Sequence, residues 1–341
     1  MTDTNMAREI AEIPDAAQRF LDQSLPALQK AGASLRQVDP YVITTVARGS
    51  SDHATTYLKY AYELLAGVPI ASVGPSVASI YKRPLRLTGA ATIGISQSGR
   101  SPDIVEMMRS SAEHGSLTIA ITNYSDSPMA NVSAHCLPLQ AGEEKSVAAT
   151  KTFVNSALAG LALLAEWRQD RALQTAIAAL PATFAQATTL DWSPLAARLT
   201  NSDHAFVLGR GPGVAIANEA ALKMKETSGI HAEAYSAAEV LHGPAAIVQA
   251  GFPVLSLGVN DAALPQMIAT AQRLVAQGAD VFATGAAVKG AVHLPSAPDL
   301  HPLLDPLVLI VSYYACVEAL SRQRGFDPDT PPHLRKVTET H

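Results

Sequence analysis

The sequence predicts an α/β fold of two tandem units, each a parallel sheet flanked by helices in a doubly wound, flavodoxin-like, three-layer sandwich. Three observations lead there: short apolar runs alternate with helical periodicity, a glycine turn follows the first strand of each half, and the order of elements repeats. In the first half, 41–46 reads as a strand, 53–65 as a helix and 91–95 as a strand. A helix at 102–114, a strand at 117–121 and a long helix at about 152–170 follow. In the second half, strand 204–208 leads to helix 215–227 and strand 252–257 to helix 263–276, before strand 280–284 and helix 304–322. "VARGSSDHATTYLKYAYEL" lies opposite "VLGRGPGVAIANEAALKMKE", each a strand, a glycine turn and a helix. The expected organisation is a helical segment over 1–35, a first unit over 36–172, a joint around Leu173 to Trp192, a second unit over 195–325 and a tail over 326–341.

Composition narrows the function. Of 341 residues, 48% are apolar and 16% charged, enough for large cores. A net charge of −5 without a Lys/Arg run argues against nucleic acid or an anionic membrane as partner. The apolar stretches 153–165 and 306–316 fall short of the roughly 18 residues a membrane span needs, so both read as buried helices. The two cysteines, Cys136 and Cys316, lack metal-type spacing, and the first fifteen residues lack an apolar signal region. A cytoplasmic location is the expectation.

In open parallel sheets, ligands sit beyond the carboxyl ends of the strands. There the first half carries "ISQSGRSPD". Ser96, Ser98 and Ser101 offer hydroxyls, Gln97 an amide, and Gly99 a backbone able to approach a ligand closely. Ser101 suits a helix N-cap and Pro102 the first turn, so a helix N-terminus faces the loop. That pattern is either a capped serine-rich turn or a phosphate cradle without a lysine; it is no Walker A motif. Ser50 and Ser51, after the first strand, would lie nearby. The second half has Gly258-Val259-Asn260-Asp261 at the matching place, and its acid would repel an anion.

The densest polar cluster is "ALKMKETSGIHAEAYSAAEVLHGP". Lys223 and Glu226 share a helix face, as a solvated pair or as a cleft pair with Glu226 the general base. The glycine turn before that helix favours the cleft. His242 precedes Gly243-Pro244 and is expected just before a helix start, where the dipole favours a neutral, proton-accepting ring. His231, Glu233, Glu239 and His242 match no short metal-ligand motif, so no metal is expected. In the proline-rich tail, Lys336 stands between Leu334 and Val337, which could anchor it. Tails of this kind are usually disordered or merely surface-packed.

"ARGSSDHA", "ISQSGRSPD", "EKSVAATKTF" and "EAALKMKETSGIHAEAYSAAEVLHGP", in this order, together with the lysine near the end, resemble the sugar isomerase (SIS) family. They are most similar to the isomerase half of glutamine:fructose-6-phosphate aminotransferases (glucosamine-6-phosphate synthases). The resemblance implies that Ser50, Ser51, Ser96, Gln97, Ser98 and Ser101 hold a sugar phosphate and that Val147 and Ala149 line the sugar site; serine is frequent in the family where Ala149 stands. It implies proton shuttling by Glu226, a lysine near the sugar at Lys223, and a Schiff base with the open-chain ketose at Lys336. Arg335 replaces the usual small residue before that lysine. It also implies ring opening by His242 reaching a neighbouring subunit of a homodimer, without a cofactor.

No cysteine stands among the roughly forty residues before the first strand. Release of ammonia from glutamine by the synthase's N-terminal cysteine is therefore not expected. The stand-alone relatives resembled are glucosamine-6-phosphate deaminases. The expected activity is thus an isomerase/deaminase converting an amino-sugar 6-phosphate, foremost glucosamine 6-phosphate, to fructose 6-phosphate and ammonia. Its rivals are a galactosamine-6-phosphate deaminase or isomerase, a fructosamine-6-phosphate deglycase, and a sugar-phosphate sensor. The sensor would need the serine loop but not Glu226, His242 and Lys336.

Overall fold

The structure, a computed structural model, describes residues 4–336. Helices α1 (Asn5–Ala11) and α2 (Ile13–Val38) precede β1 (Ile43–Val46), α3 (Ser50–Ala66), β2 (Ile70–Ser72), α4 (Ser76–Ser79), β3 (Ala91–Ile95) and α5 (Pro102–Glu113). Then come β4 (Leu117–Thr122), α6 (Pro128–Asn131), β5 (His135–Pro138), α7 (Lys151–Arg168), α8 (Arg171–Ala187) and α9 (Ser193–Leu199). The second half holds β6 (His204–Gly209), α10 (Gly213–Ser228), β7 (His231–Ser236), β8 (Pro253–Ser256), α11 (Leu264–Ala276), β9 (Asp280–Ala283), β10 (Val292–His293) and α12 (Asp305–Gln323).

Each half forms an all-parallel five-stranded sheet, ordered β2-β1-β3-β4-β5 in the first and β10-β9-β8-β6-β7 in the second. Both are the same doubly wound order, two-one-three-four-five by position in the half. Right-handed crossovers leave the first two strands in opposite directions, so the helices after β1 and β3 cover opposite faces. The switch points, where ligands find a crevice, are therefore β1/β3 and β6/β8. The expected fold class stands. The strands missed by sequence, β2, β5, β7 and β10, are short, or half-buried with polar residues, and lack a clean apolar run.

The joint expected at Leu173 to Trp192 is filled mostly by α8, with a short non-helical stretch over 188–192 before α9. Its alanine-rich stretch carries Pro181 inside the helix, which masks the periodicity. Two compact units result: residues 15–144 with 151–178, and residues 4–14, 145–150 and 179–336. The six-residue strip 145–150 thus packs with the second sheet's unit although it precedes that sheet by more than fifty residues.

Both apolar stretches are buried helices. In the first unit Tyr62 of α3 donates to the Gly160 carbonyl of α7 at 2.9 Å, and Gly160 lets Leu58 pack against the helix backbone. In the second, the Tyr313 hydroxyl of α12 donates to the Ala220 carbonyl of α10 at 2.8 Å. A core of Phe206, Leu208, Val254, Phe252 and Leu274 fills the space beneath α11. Among the described residues, no helix is long and apolar enough to cross a membrane.

Candidate active site

In the first unit the register Val46↔Gly94 sets β1 and β3 side by side, so the loops that follow both open at the switch point. Gly49 (φ 54°, ψ −132°) turns the chain into α3, with open space where a side chain would stand. Ser50 and Ser51 form the first turn of α3. After β3, Ser96 Oγ accepts the Gly99 N–H (3.2 Å) and Ser98 Oγ accepts that of Arg100 (3.3 Å). A hydroxyl used as an acceptor keeps its O–H to donate, so both serines can address an anion. The Gln97 carbonyl is pinned by Asn123 N–H (3.0 Å) and Thr122 Oγ1 (3.2 Å). Gly99 has φ 62°, and a Cβ there would collide with Ser127 and Thr122. Backbone conformation and space both require glycine. Ser101 is the N-cap of α5, as expected, but its hydroxyl makes no capping bond. It stays half-buried at the helix start.

One ion pair that sequence reasoning missed spans the switch point. Arg48, in the loop after β1, donates to Asp103 Oδ2 of α5 through Nη2 (2.6 Å) and Nε (3.2 Å). Both residues lie inside the motifs quoted above; only the strand pairing brings them together.

In the second unit, Lys223 and Glu226 form the cleft pair rather than a solvated one. Lys223 Nζ is fully buried, 2.6 Å from the half-buried Glu226 and 3.2 Å from the fully buried Glu219. Burial alone would push the ammonium's pKa down, but Glu219 and then Glu226 outweigh it and hold it well above the ordinary lysine range. Tyr314 donates to Glu219 at 3.2 Å. Glu219 was missed, although its spacing of four from Lys223 is a legible helical pair.

The expected reason for Glu226's cleft position needs correction. Helix α10 opens beside the β6/β8 switch point, but Glu226 stands two residues before its end. At about 1.5 Å per residue it is roughly 20 Å down the axis from that opening. Its cleft is a cavity of about 460 Å³ lined by Leu222, Lys225 and Glu226 of α10 with Phe326, Pro332 and Leu334 of the tail.

That tail packs on the surface, the second of the two expected states, and is tied down at Asp329. The Asp329 carboxylate accepts the N–H groups of Asn5 (2.7 Å) and Met6 (2.8 Å), and its carbonyl accepts the Val147 N–H at 3.2 Å. Glu9 accepts from Lys145 N–H and from Ser146. So α1, the 145–150 strip and the tail lock together, and Val147 and Ala149 stay half-buried on the strip. Glu9 and Asp329 were also missed; neither carries a local signal. Lys336 is half-buried at the end of the described tail, while Val337, its expected anchor, lies outside the described residues.

His242 is not brought to Glu226. It is exposed, it does not line that cavity, and it follows the carboxyl end of β7 whereas Glu226 precedes the amino end. Pro244 does open a helical turn after it, as expected, but a short 3-10 turn and not an α-helix. A 3-10 turn ends at His242, Gly243 breaks the chain direction at φ 144°, and Pro244 opens another four-residue 3-10 turn. Turns this short lack the macrodipole that was expected to act on the ring.

Comparison with known proteins agrees with this architecture. A protein of Silicibacter pomeroyi DSS-3, provisionally described as a phosphosugar isomerase, superposes with a TM-score of 0.93 at 52% identity, covering 96% of this chain and 100% of that one. A glucosamine-6-phosphate deaminase structure from Thermotoga maritima shares the fold at 20% identity, with a TM-score of 0.79 over 99% of this chain and 100% of that one. A glutamine–fructose-6-phosphate aminotransferase of Symbiobacterium thermophilum is 32% identical over 97% of this chain, which spans 58% of that relative's length. The SIS domain model matches residues 39–166 and 198–285, one segment on each sheet, and on that match the chain belongs to the SIS-domain family.

Proposed function

We propose that the protein is a phosphosugar isomerase/deaminase that converts an amino-sugar 6-phosphate, foremost glucosamine 6-phosphate, to fructose 6-phosphate and ammonia. The observation that supports this reading is the β1/β3 switch point: Ser50 and Ser51 open α3 after β1, and Ser96, Gln97, Ser98 and Ser101 lead from β3 into α5. Hydroxyls beside helix starts at a switch point suit a phosphate. The likeness to the Silicibacter pomeroyi protein supports a phosphosugar as substrate class.

The chemistry assigned to the second unit follows from its clamped carboxylate. Glu226, held by the Lys223 ammonium, takes the proton from C2 of the open-chain amino sugar and returns one to C1. With a proton passing from the amine nitrogen to the C1 oxygen, the C1 aldehyde becomes an alcohol and C2 becomes an imine. Water adds to the imine, ammonia leaves, and fructose 6-phosphate remains. Lys336 stabilises the open chain, and Val147 and Ala149 border the sugar. His242 opens the ring of sugar bound to the partner of a homodimer, a reading supported by its exposure outside the Glu226 cavity.

The test is incubation with glucosamine 6-phosphate, galactosamine 6-phosphate or a 6-phosphorylated fructosamine, without glutamine, measuring ammonia and the ketose phosphate. Release from glucosamine 6-phosphate is expected. Turnover of only another arm would reassign the substrate, and binding without turnover would favour a sensor.

A further inference from the structure

Asp103 is an odd residue to find at a phosphate cradle. It is the second residue of α5, only 1% exposed, and its Oδ1 accepts the Ile104 N–H at 2.9 Å. It therefore occupies one N–H of the helix start and places a buried negative charge beside the loop meant to receive a dianion. At close range in a low-dielectric setting, such a charge opposes phosphate strongly. A buried carboxylate without a partner is also costly to the fold itself.

Arg48 answers both problems from the other side of the switch point. Two nitrogens of its guanidinium grip the single oxygen Asp103 Oδ2, while the side chain remains 53% exposed against 2% for Asp103. Arg48 stands directly before Gly49, whose open, left-handed turn delivers Ser50 and Ser51. The pair thus ties the β1 loop to the start of α5.

We propose that Arg48–Asp103 is a charge-balancing clamp that joins the two serine loops into one phosphate cradle. Arg48 is a positioning residue in this scheme: it acts through Asp103, cancelling the carboxylate's charge at the mouth of the cradle. The proposal rests on the cradle reading given under Proposed function. It differs from direct phosphate binding by Arg48, and variants that remove one charge or both separate the two.

The experiment measures the rise in melting temperature that inorganic phosphate confers on the full chain, alongside KM and kcat for the phosphosugar that turns over. R48A should weaken phosphate binding about 10- to 100-fold and raise KM in step, with kcat changing much less. D103N, which keeps the arginine and removes the opposing charge, should bind phosphate at least as tightly as the wild type. The R48Q/D103N double variant should recover most of the affinity lost in R48A. Unchanged phosphate binding in R48A, weakened binding in D103N, or a double variant no better than R48A would each overturn the clamp. Should R48A fail to fold, D103N and the double variant decide alone. Phosphate protection of the wild type without turnover of any sugar would sink the enzymatic reading and leave the clamp standing. No protection of the wild type would sink the cradle and the clamp together.

Discussion

At the β1/β3 switch point the chain leaves the sheet through Ser96, Gln97, Ser98 and Gly99. At the β6/β8 switch point, the same position in the same strand order, it leaves through Gly258, Val259, Asn260 and Asp261. The first presents hydroxyls that accept from their own loop and keep O–H groups to donate. The second turns inward. Asp261 accepts the Ala263 N–H at 2.8 Å, Asn260 donates to Asp299 at 3.0 Å, and Asp305 accepts from Leu300 and His301. A cavity of about 10 Å³ remains there, bordered by Asp299 and Asp305, room for about one water. Burial pushes the Asp305 carboxyl above the usual carboxylate range. A doubled fold keeps its crevice in both copies, but its loops decide whether the crevice is a site. The second half instead places its buried Lys223–Glu226 pair at the far end of α10, beside the tail.

The largest expected effect lies at that far end. Glu226→Gln should lower kcat by about 10²- to 10⁴-fold, with KM far less affected, in an ammonia-release assay. A near-normal kcat would remove the second half from the chemistry.

Next comes stability. Lys223→Met leaves Glu219 and Glu226 facing each other without the ammonium, and breaking a buried pair of this kind costs about 3–5 kcal/mol. Thermal unfolding should show it. The same ammonium sets a pH signature: its folded pKa is raised, so its stabilisation is fully present below the ordinary lysine value of about 10.4 and is lost only as pH climbs through the higher folded value. A melting temperature that fell between pH 6 and 9 in wild type but not in Lys223→Met would contradict the assignment.

Gly99→Ala sets the two switch points against each other. The substitution is strained in φ and collides with Ser127 and Thr122, so stability and phosphate affinity should both fall, affinity by about tenfold or more. Gly211→Ala, at φ 56° in the loop after β6 with open space around it, should cost about 1 kcal/mol of stability and leave phosphate binding alone. Equal effects on phosphate would erase the asymmetry. The smallest change is expected for Ser101→Ala. Because Ser101 makes no capping bond, stability should stay within about 0.5 kcal/mol, while phosphate affinity drops severalfold. A full capping loss without any effect on phosphate would return Ser101 to an ordinary N-cap.

Some of this was legible before any coordinates. The repeat, the strand–turn–helix order and the serine loop are local patterns, and β3 and α5 fall within a residue of their expected bounds. Buried apolar runs and helix starts are written in neighbouring residues, so a one-dimensional reading finds them. The Lys223–Glu226 pair was visible for the same reason, though not its burial. Helix α8 escaped because Pro181 and a run of alanines blur the periodicity. The Glu226 cavity was reached by a wrong route: a glycine turn predicts the start of α10, and Glu226 stands at its end.

The sequence by itself determined two doubly wound parallel units and the asymmetry between their loops, because period, turn chemistry and side-chain type are local properties. Tertiary structure alone decided which distant groups meet. Arg48 reaches Asp103 through strand pairing, and Glu9 and Asp329 draw the 145–150 strip and the tail onto the second unit. Long-range pairing follows from how sheets and helices pack, and no spacing along the chain encodes it.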